Sequence, residues 1–234
     1  DTVGTVSEAR ELWKAVGRPN AMIKVPATPE GIPAIEQLIS EGINVNVTLL
    51  FSRAYYRKAA GAYLAGLKRR AAAGEDLGHV AWVASFFVSR IDSAGDGLLK
   101  EKRESAGAGA EREKLGALKG KVAIANAKLA YRDYGEIFSG GEWEPLAGRG
   151  ARTQRMLWAS TGTKDPDYSD VLYIDELIGR DTVNTFPPAT LAAFRDHGNP
   201  RESLTEEIGA ADETIRILAG TGIDLEQVTD RLLE

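Results

Sequence analysis

Apolar residues at alternate positions run through Ile43, Val45, Val47, Leu49 and Phe51, while Asn44, Asn46 and Thr48 take the other parity, the period-two pattern of a strand with two unlike faces. A shorter apolar run of Met22, Ile23 and Val25 encloses Lys24 and is closed by Pro26. Thr28, Pro29 and Glu30 open a helix between these two strands, with Ile32, Ile35, Leu38 and Ile39 as its buried stripe and Gly42 after its end. Residues Thr5 to Val16 predict a preceding helix with Ser7 as cap and Gly17 beyond it. Arg53 to Ala73 predicts another, carrying Tyr56, Ala60, Tyr63, Leu64 and Leu67 before Gly74.

Val80 to Ile91, rich in β-branched and aromatic residues, predicts the third strand, with Ser85, Phe87 and Ser89 on one parity and Arg90 near its C-terminal end. Asp96 to Leu118 alternates charges with alanine and glycine, the pattern of a solvated face or a mobile connection. A helix over Val122 to Phe138 and a glycine-rich loop through Gly150 lead to a fourth strand at Gln154 to Ser160. Thr161 to Pro166 is a turn with a basic tip at Lys164, Asp170 to Ile178 a short helix, and Thr182 to Phe186 the fifth strand, stopped by Pro187 and Pro188. Helices at Ala189 to His197, Leu204 to Gly220 and Leu225 to Leu233 complete the chain.

Strand and helix patterns alternate at the spacing of βα units, which predicts an α/β fold with a parallel sheet. In an open doubly wound sheet both strand faces would be apolar, whereas one parity here is polar, which favours a (β/α) TIM-type barrel. Five strands are countable against the eight of a full barrel, so a single partial barrel domain over 1–234 is expected.

Composition removes several classes of function. A net charge of -5 and a pI near 5.3 give no general attraction to nucleic acid, while leaving room for a local basic pocket that binds a small anion. Without cysteine there are no disulfides or thiolate metal sites, a usage that fits a cytoplasmic chain, and no apolar run is long enough for a bilayer. G-x-G-x-x-G, P-loop and G-x-S-x-G patterns are missing, and His79 and His197 stand in unrelated contexts, so neither a nucleotide cofactor nor a histidine metal site is expected.

Lys24 is the best candidate nucleophile, because a buried lysine has a lowered pKa and an amine free to attack a carbonyl. The alternative is a lysine at a sheet edge or strand end that reaches water. Asn46 and Thr48 are able to orient a water or a hydroxyl near such an amine, or to serve as satisfied core polar groups.

Several of these segments together resemble one family. Ile23, Lys24 and Val25 with Thr28 are similar to the lysine segment of transaldolases; INVNVTLLFS is similar to their next strand, SFFVSRID to their S-x-F-V-x-R-x-D strand, and RMLWASTGTKDPDYSD and VNTFPPATLAAFRDHG to the last two barrel strands of the bacterial long form. The resemblance runs from about residue 5 through nearly the whole chain. It implies a transaldolase of the pentose phosphate pathway, in which Lys24 forms a Schiff base with a ketose phosphate and Asn46 and Thr48 bind substrate hydroxyls and the catalytic water. It further implies that Ser85 and Phe87 line the site, that Arg90 and Ser160 bind phosphate, and that no metal or cofactor takes part. Many relatives carry an arginine just after that serine; here Thr161, Gly162, Thr163 and Lys164 follow, and Lys164 is the expected substitute, as a point charge.

The family also places an aspartate on its first strand and a glutamate on its third, and this sequence begins beyond both. The expectation is therefore part of a longer enzyme whose exposed sheet edges associate with another copy or with the remaining segment. A class I fructose-6-phosphate-type aldolase, which releases its three-carbon unit to water, and an inactive binding or interaction module are the alternatives.

Overall fold

The structure, a computed structural model, describes residues 1–233. Helix α1 (Thr2–Val16) begins at Asp1, whose carboxylate accepts from the Gly4 amide, and ends at Gly17 in the left-handed region. Asp1 rather than Ser7 is the cap, since the helix starts a turn before its apolar stripe becomes regular. Strand β1 (Ile23–Pro26) is followed by α2 (Gly31–Ser40) and β2 (Val45–Leu50), and β1 and β2 pair in parallel. The Thr28 hydroxyl accepts from the Gly31 amide at 3.1 Å and closes the start of α2. A Cβ on Gly31 would overlap the Pro26 carbonyl oxygen, so the end of β1 and the start of α2 meet too closely for a larger residue.

Helix α3 (Arg53–Ala72) is capped by Ser52, whose hydroxyl accepts from the Tyr55 amide at 3.1 Å. Strand β3 (Trp82–Phe87), paired in parallel with β2, is followed by α4 (Ser89–Ser105), α5 (Ala110–Gly116), α6 (Val122–Ile137) and the short α7 (Glu144–Ala147). Next come β4 (Arg155–Ala159), α8 (Leu172–Glu176), β5 (Thr182–Asn184), α9 (Pro188–His197), α10 (Ile208–Gly220) and α11 (Leu225–Leu233). The sheet order is β1-β2-β3-β4-β5, an α/β architecture consistent with part of a (β/α) barrel. Among the described residues, no helix is long and apolar enough to cross a membrane.

The elements depart from the sequence pattern in four further places. Strand β3 stops at Phe87, so Ser89 and Arg90 lie in the first turn of α4 instead of on the strand. Leu49 has φ 58° and the β2–β3 register shifts between Val47 and Leu50; the alternation breaks there, and Leu50 rather than Leu49 is buried. The charged stretch from Asp96 is mostly helical, with Leu99 and Leu115 as its buried anchors. Glu207, at φ 53°, divides the predicted Leu204 to Gly220 helix into a 3₁₀ turn at Ser203–Thr205 and α10.

By internal contacts the chain forms two compact units, Asp1–Phe86 with Arg132–Leu157, and Phe87–Tyr131 with the residues from Trp158 onward. In the first, Tyr63 meets Trp82 edge-on at 4.5 Å between ring centroids, and Phe138 meets Trp143 at 5.1 Å. Helix α3 is tied to α6 by Asp133, whose fully buried carboxylate accepts from Arg53 Nε at 2.8 Å and Nη2 at 2.7 Å and also pairs with Arg57. The second unit packs Ala125 and Leu129 of α6 on Ala211 of α10, with Ile208 and Ile215 alongside. Lys128 reaches Glu176 at 3.4 Å and the Glu206 carbonyl at 3.1 Å, and Arg201 donates to Glu176 at 2.7 Å.

Candidate functional site

The first unit collects four of the expected residues on three neighbouring strands. The β1–β2 register sets Lys24 opposite Asn46 and Pro26 opposite Thr48, and directly paired residues of parallel strands point to the same side of a sheet. Lys24 is exposed between buried Ile23 and Val25, and among the described residues its amine has no hydrogen bond or ion pair. The lysine therefore reaches water from the edge strand of the sheet, the second of the two readings its spacing allowed. Asn46 Oδ1 accepts from the Ser85 hydroxyl at 2.6 Å, which joins β2 to β3 on that side. Thr48 is buried, and its carbonyl accepts from the Ala27 amide at 2.9 Å. Asn44, of the same parity, is a structural clamp: Nδ2 donates to the Pro19 and Ala21 carbonyls and Oδ1 accepts from the Ala81 amide at 2.8 Å.

The second unit holds the remaining four. The Arg90 guanidinium lies 5.0 Å from the centroid of the Phe87 ring, a cation–π contact that fixes an otherwise exposed charge. The start of α4 is tied to the end of β4: the Val88 amide donates to the Ala159 carbonyl and the Ser89 amide to the Ser160 carbonyl, both at 3.0 Å. The hydroxyls of Ser89 and Ser160 are 2.8 Å apart, and Ser160 holds a left-handed backbone at φ 58°. Thr161 Oγ1 donates to Asn184 Oδ1 at 2.7 Å at the end of β5.

Lys164 is exposed on the wall of a cavity of about 710 Å³ together with Asp92, Asp96, Lys119, Asp165 and Tyr168. Lys119 pairs with Asp165 and Asp167, each at 2.8 Å, which raises its amine above the usual range. Asp96 accepts from Tyr168, and Asp92, itself buried, accepts from Tyr173 and from the Ala123 amide, each at 2.8 Å. Burial pushes the Asp92 carboxyl up to about 6 against these two hydrogen bonds. His79 and His197 are both at the surface, His197 between Asp170 and Asp196.

The sequence reading put Ser89 on the strand face with Ser85 and Phe87 and gave Thr161 and Asn184 no role, because their partners lie 71 and 23 residues away. The SFFVSRID, RMLWASTGTKDPDYSD and VNTFPPATLAAFRDHG segments as wholes point to these places.

A parallel sheet with interleaved helices and a strand lysine in register with an asparagine defines an α/β protein whose architecture is consistent with part of a (β/α) barrel. More particularly, the chain belongs to the Transaldolase/Fructose-6-phosphate aldolase family, whose model matches residues 1–234. It is 52% identical over 235 residues to a transaldolase of Trichodesmium erythraeum, and all of this chain and 62% of that protein are covered. It is 50% identical over 236 residues to transaldolase 2 of a Nostoc species, again covering 100% of this chain and 62% of the relative. A transaldolase of Neisseria meningitidis is 50% identical over 234 residues, with the same coverage of 100% and 62%. The chain thus spans 62% of the length of these curated relatives.

Proposed function

We propose that the protein acts in transaldolase chemistry, moving a dihydroxyacetone unit from a ketose phosphate such as fructose 6-phosphate or sedoheptulose 7-phosphate to an aldose phosphate. The observation that carries this reading is the exposed amine of Lys24 opposite Asn46, in a chain of this family. In its neutral form the amine adds to the ketose C2 carbonyl, and the resulting carbinolamine takes up a proton from solvent and loses water, giving an iminium. As the C4 hydroxyl gives its proton to a water molecule, the C3–C4 bond breaks and its electron pair flows into the iminium. An aldose phosphate departs and a three-carbon enamine stays on Lys24 until an acceptor aldehyde takes it.

Asn46 and Thr48 are the groups proposed to hold substrate hydroxyls and the water of imine exchange, and Ser85 fixes the Asn46 amide from behind. Phe87 and Arg90 supply an apolar wall and a phosphate-binding charge, with Ser160 as a hydroxyl donor and Lys164 as a further cation for the same anion. A cytoplasmic place in the pentose phosphate pathway, sugar phosphates as the only partners in catalysis, and association through the edges of the sheet belong to this proposal. Cleavage with release of dihydroxyacetone to water is the second reading, favoured by the family's inclusion of fructose-6-phosphate aldolases.

Incubation with fructose 6-phosphate and borohydride, followed by peptide mapping, tests the nucleophile. The adduct is expected on Lys24 and lost in Lys24→Arg, whose guanidinium stays protonated; an adduct on another lysine alone refutes the assignment. Adding erythrose 4-phosphate separates transfer from simple cleavage.

A further inference from the structure

We propose that Ser89 is a positioning residue for the Ser160 hydroxyl, committing it to donate a hydrogen bond to the phosphate oxygen of a sugar phosphate. The inference rests on the reading of Arg90 and Ser160 as phosphate-binding groups.

Ser89 is 1% exposed, so it does not meet a ligand itself, whereas Ser160 is half-buried at the end of β4. Their hydroxyl oxygens are 2.8 Å apart, and the Ser89 amide donates to the Ser160 carbonyl at 3.0 Å, so a backbone bond as well as side-chain rotamers holds the pair. Two hydroxyls in one hydrogen bond use one of their two protons and leave the other free. Among the described residues, Ser160 is the sole hydrogen-bond partner of the Ser89 hydroxyl. If Ser160 donated to Ser89, the Ser89 proton would sit buried with no acceptor, an arrangement that costs its desolvation. With Ser89 as donor, its own proton is satisfied and the Ser160 proton faces the exposed side.

A phosphate dianion only accepts hydrogen bonds, so it takes that proton. The relay from Ser89 through Ser160 to the anion also polarises the outer bond. The left-handed backbone of Ser160, unusual for a residue with a side chain, keeps its hydroxyl at the end of the strand. The sequence gives Ser89 no such role, because it reads as a strand residue two positions beyond Phe87.

The test is calorimetric titration of the whole protein with fructose 6-phosphate, comparing wild type with Ser89→Ala, Ser160→Ala, the double variant, Ser89→Thr and Arg90→Ala. Ser89→Ala should weaken binding roughly 3- to 10-fold, the loss expected for one hydrogen bond between neutral groups. Ser89→Thr, which keeps the hydroxyl, should recover most of it. On the Ser160→Ala background the Ser89→Ala change should add nothing, a non-additivity that a purely structural role would not produce. If Ser89→Ala does not fold, Ser89→Cys, a weaker donor of similar volume, takes its place in the same cycle. Unchanged affinity in Ser89→Ala, or full additivity with Ser160→Ala, overturns the inference while loss of binding in Arg90→Ala leaves the phosphate reading standing. No binding by wild type, or an unaffected Arg90→Ala, overturns the phosphate reading and the Ser89 assignment together.

Discussion

Lys24 stands directly opposite Asn46 in the parallel register of β1 and β2, and Asn46 is in turn held from β3 by the Ser85 hydroxyl at 2.6 Å. With Oδ1 engaged by Ser85, the amide side of Asn46 is the part left to meet substrate. Asn46→Ala should slow borohydride-trapped adduct formation on Lys24 roughly tenfold or more, through lost positioning of the reacting groups. Ser85→Ala should give a smaller loss in the same direction. A Ser85→Ala effect as large as that of Asn46→Ala would assign Ser85 a direct contact instead.

Arg90, packed on Phe87, is the strongest expected anchor for phosphate. Arg90→Ala should raise KM for fructose 6-phosphate roughly 10- to 150-fold, the range for a charge-assisted contact of about 1.5 to 3 kcal/mol. Phe87→Ala removes only the ring beneath the guanidinium and should cost a few-fold, in line with about 0.5 to 1 kcal/mol for an exposed cation–π pair. Steady-state kinetics on both variants decides whether the charge or the ring dominates.

Asp133 supplies a stability prediction with an internal contrast. Its carboxylate is fully buried, while Arg53 is half-buried and Arg57 largely in solvent. The two arginines hold its pKa below the usual carboxylate range in spite of burial. Arg53→Ala leaves a buried charge with a single outer partner and should cost roughly 3 kcal/mol in urea unfolding. Arg57→Ala should cost less than about 1 kcal/mol. Equal losses would mean that Arg53 and Arg57 share the tie from α3 to α6.

Asp92 predicts a pH dependence of the opposite sign to that of an ordinary ion-paired acid. Its folded carboxyl titrates at about 6 against an ordinary 3.8, chiefly because it is buried, so the folded state binds the proton more tightly than the unfolded chain. Its contribution to stability is therefore fully present below about pH 4 and is lost as pH rises through 6. Asp96, raised by burial as well, acts in the same direction. Urea midpoints measured from pH 4.5 to 7.5 should show a downward component in wild type that shrinks in Asp92→Asn. An undiminished slope in that variant would assign the dependence to other groups.

The sequence already carried the five strands in order, Lys24 within an apolar run and the polar parity of Asn46 and Thr48, because those features are local and repeat at fixed spacing. Arg90 was found as a residue but set on the wrong element: Val88 and Ile91 continue an apolar pattern that a strand and a helix start share. The Leu49 bulge left no mark, since a leucine at a positive φ is imposed by the neighbouring strand rather than by its own preference. Asp133 and Lys128 carry no local signal of burial within their helix, and only partners 80 and 48 residues distant explain it.

The aromatic cluster around Tyr63 has an optical consequence. Of the four tryptophans, Trp82 and Trp143 are buried in or beside that cluster and Trp13 is half-buried on α1, so three report on the first unit, while Trp158 alone reports on the second. Tryptophan emission is thus a weighted spectroscopic reporter, and Trp158→Phe would turn it into a reporter of the first unit alone. Unfolding followed by that emission and by far-ultraviolet circular dichroism would then reveal whether the two units melt in one step or in sequence.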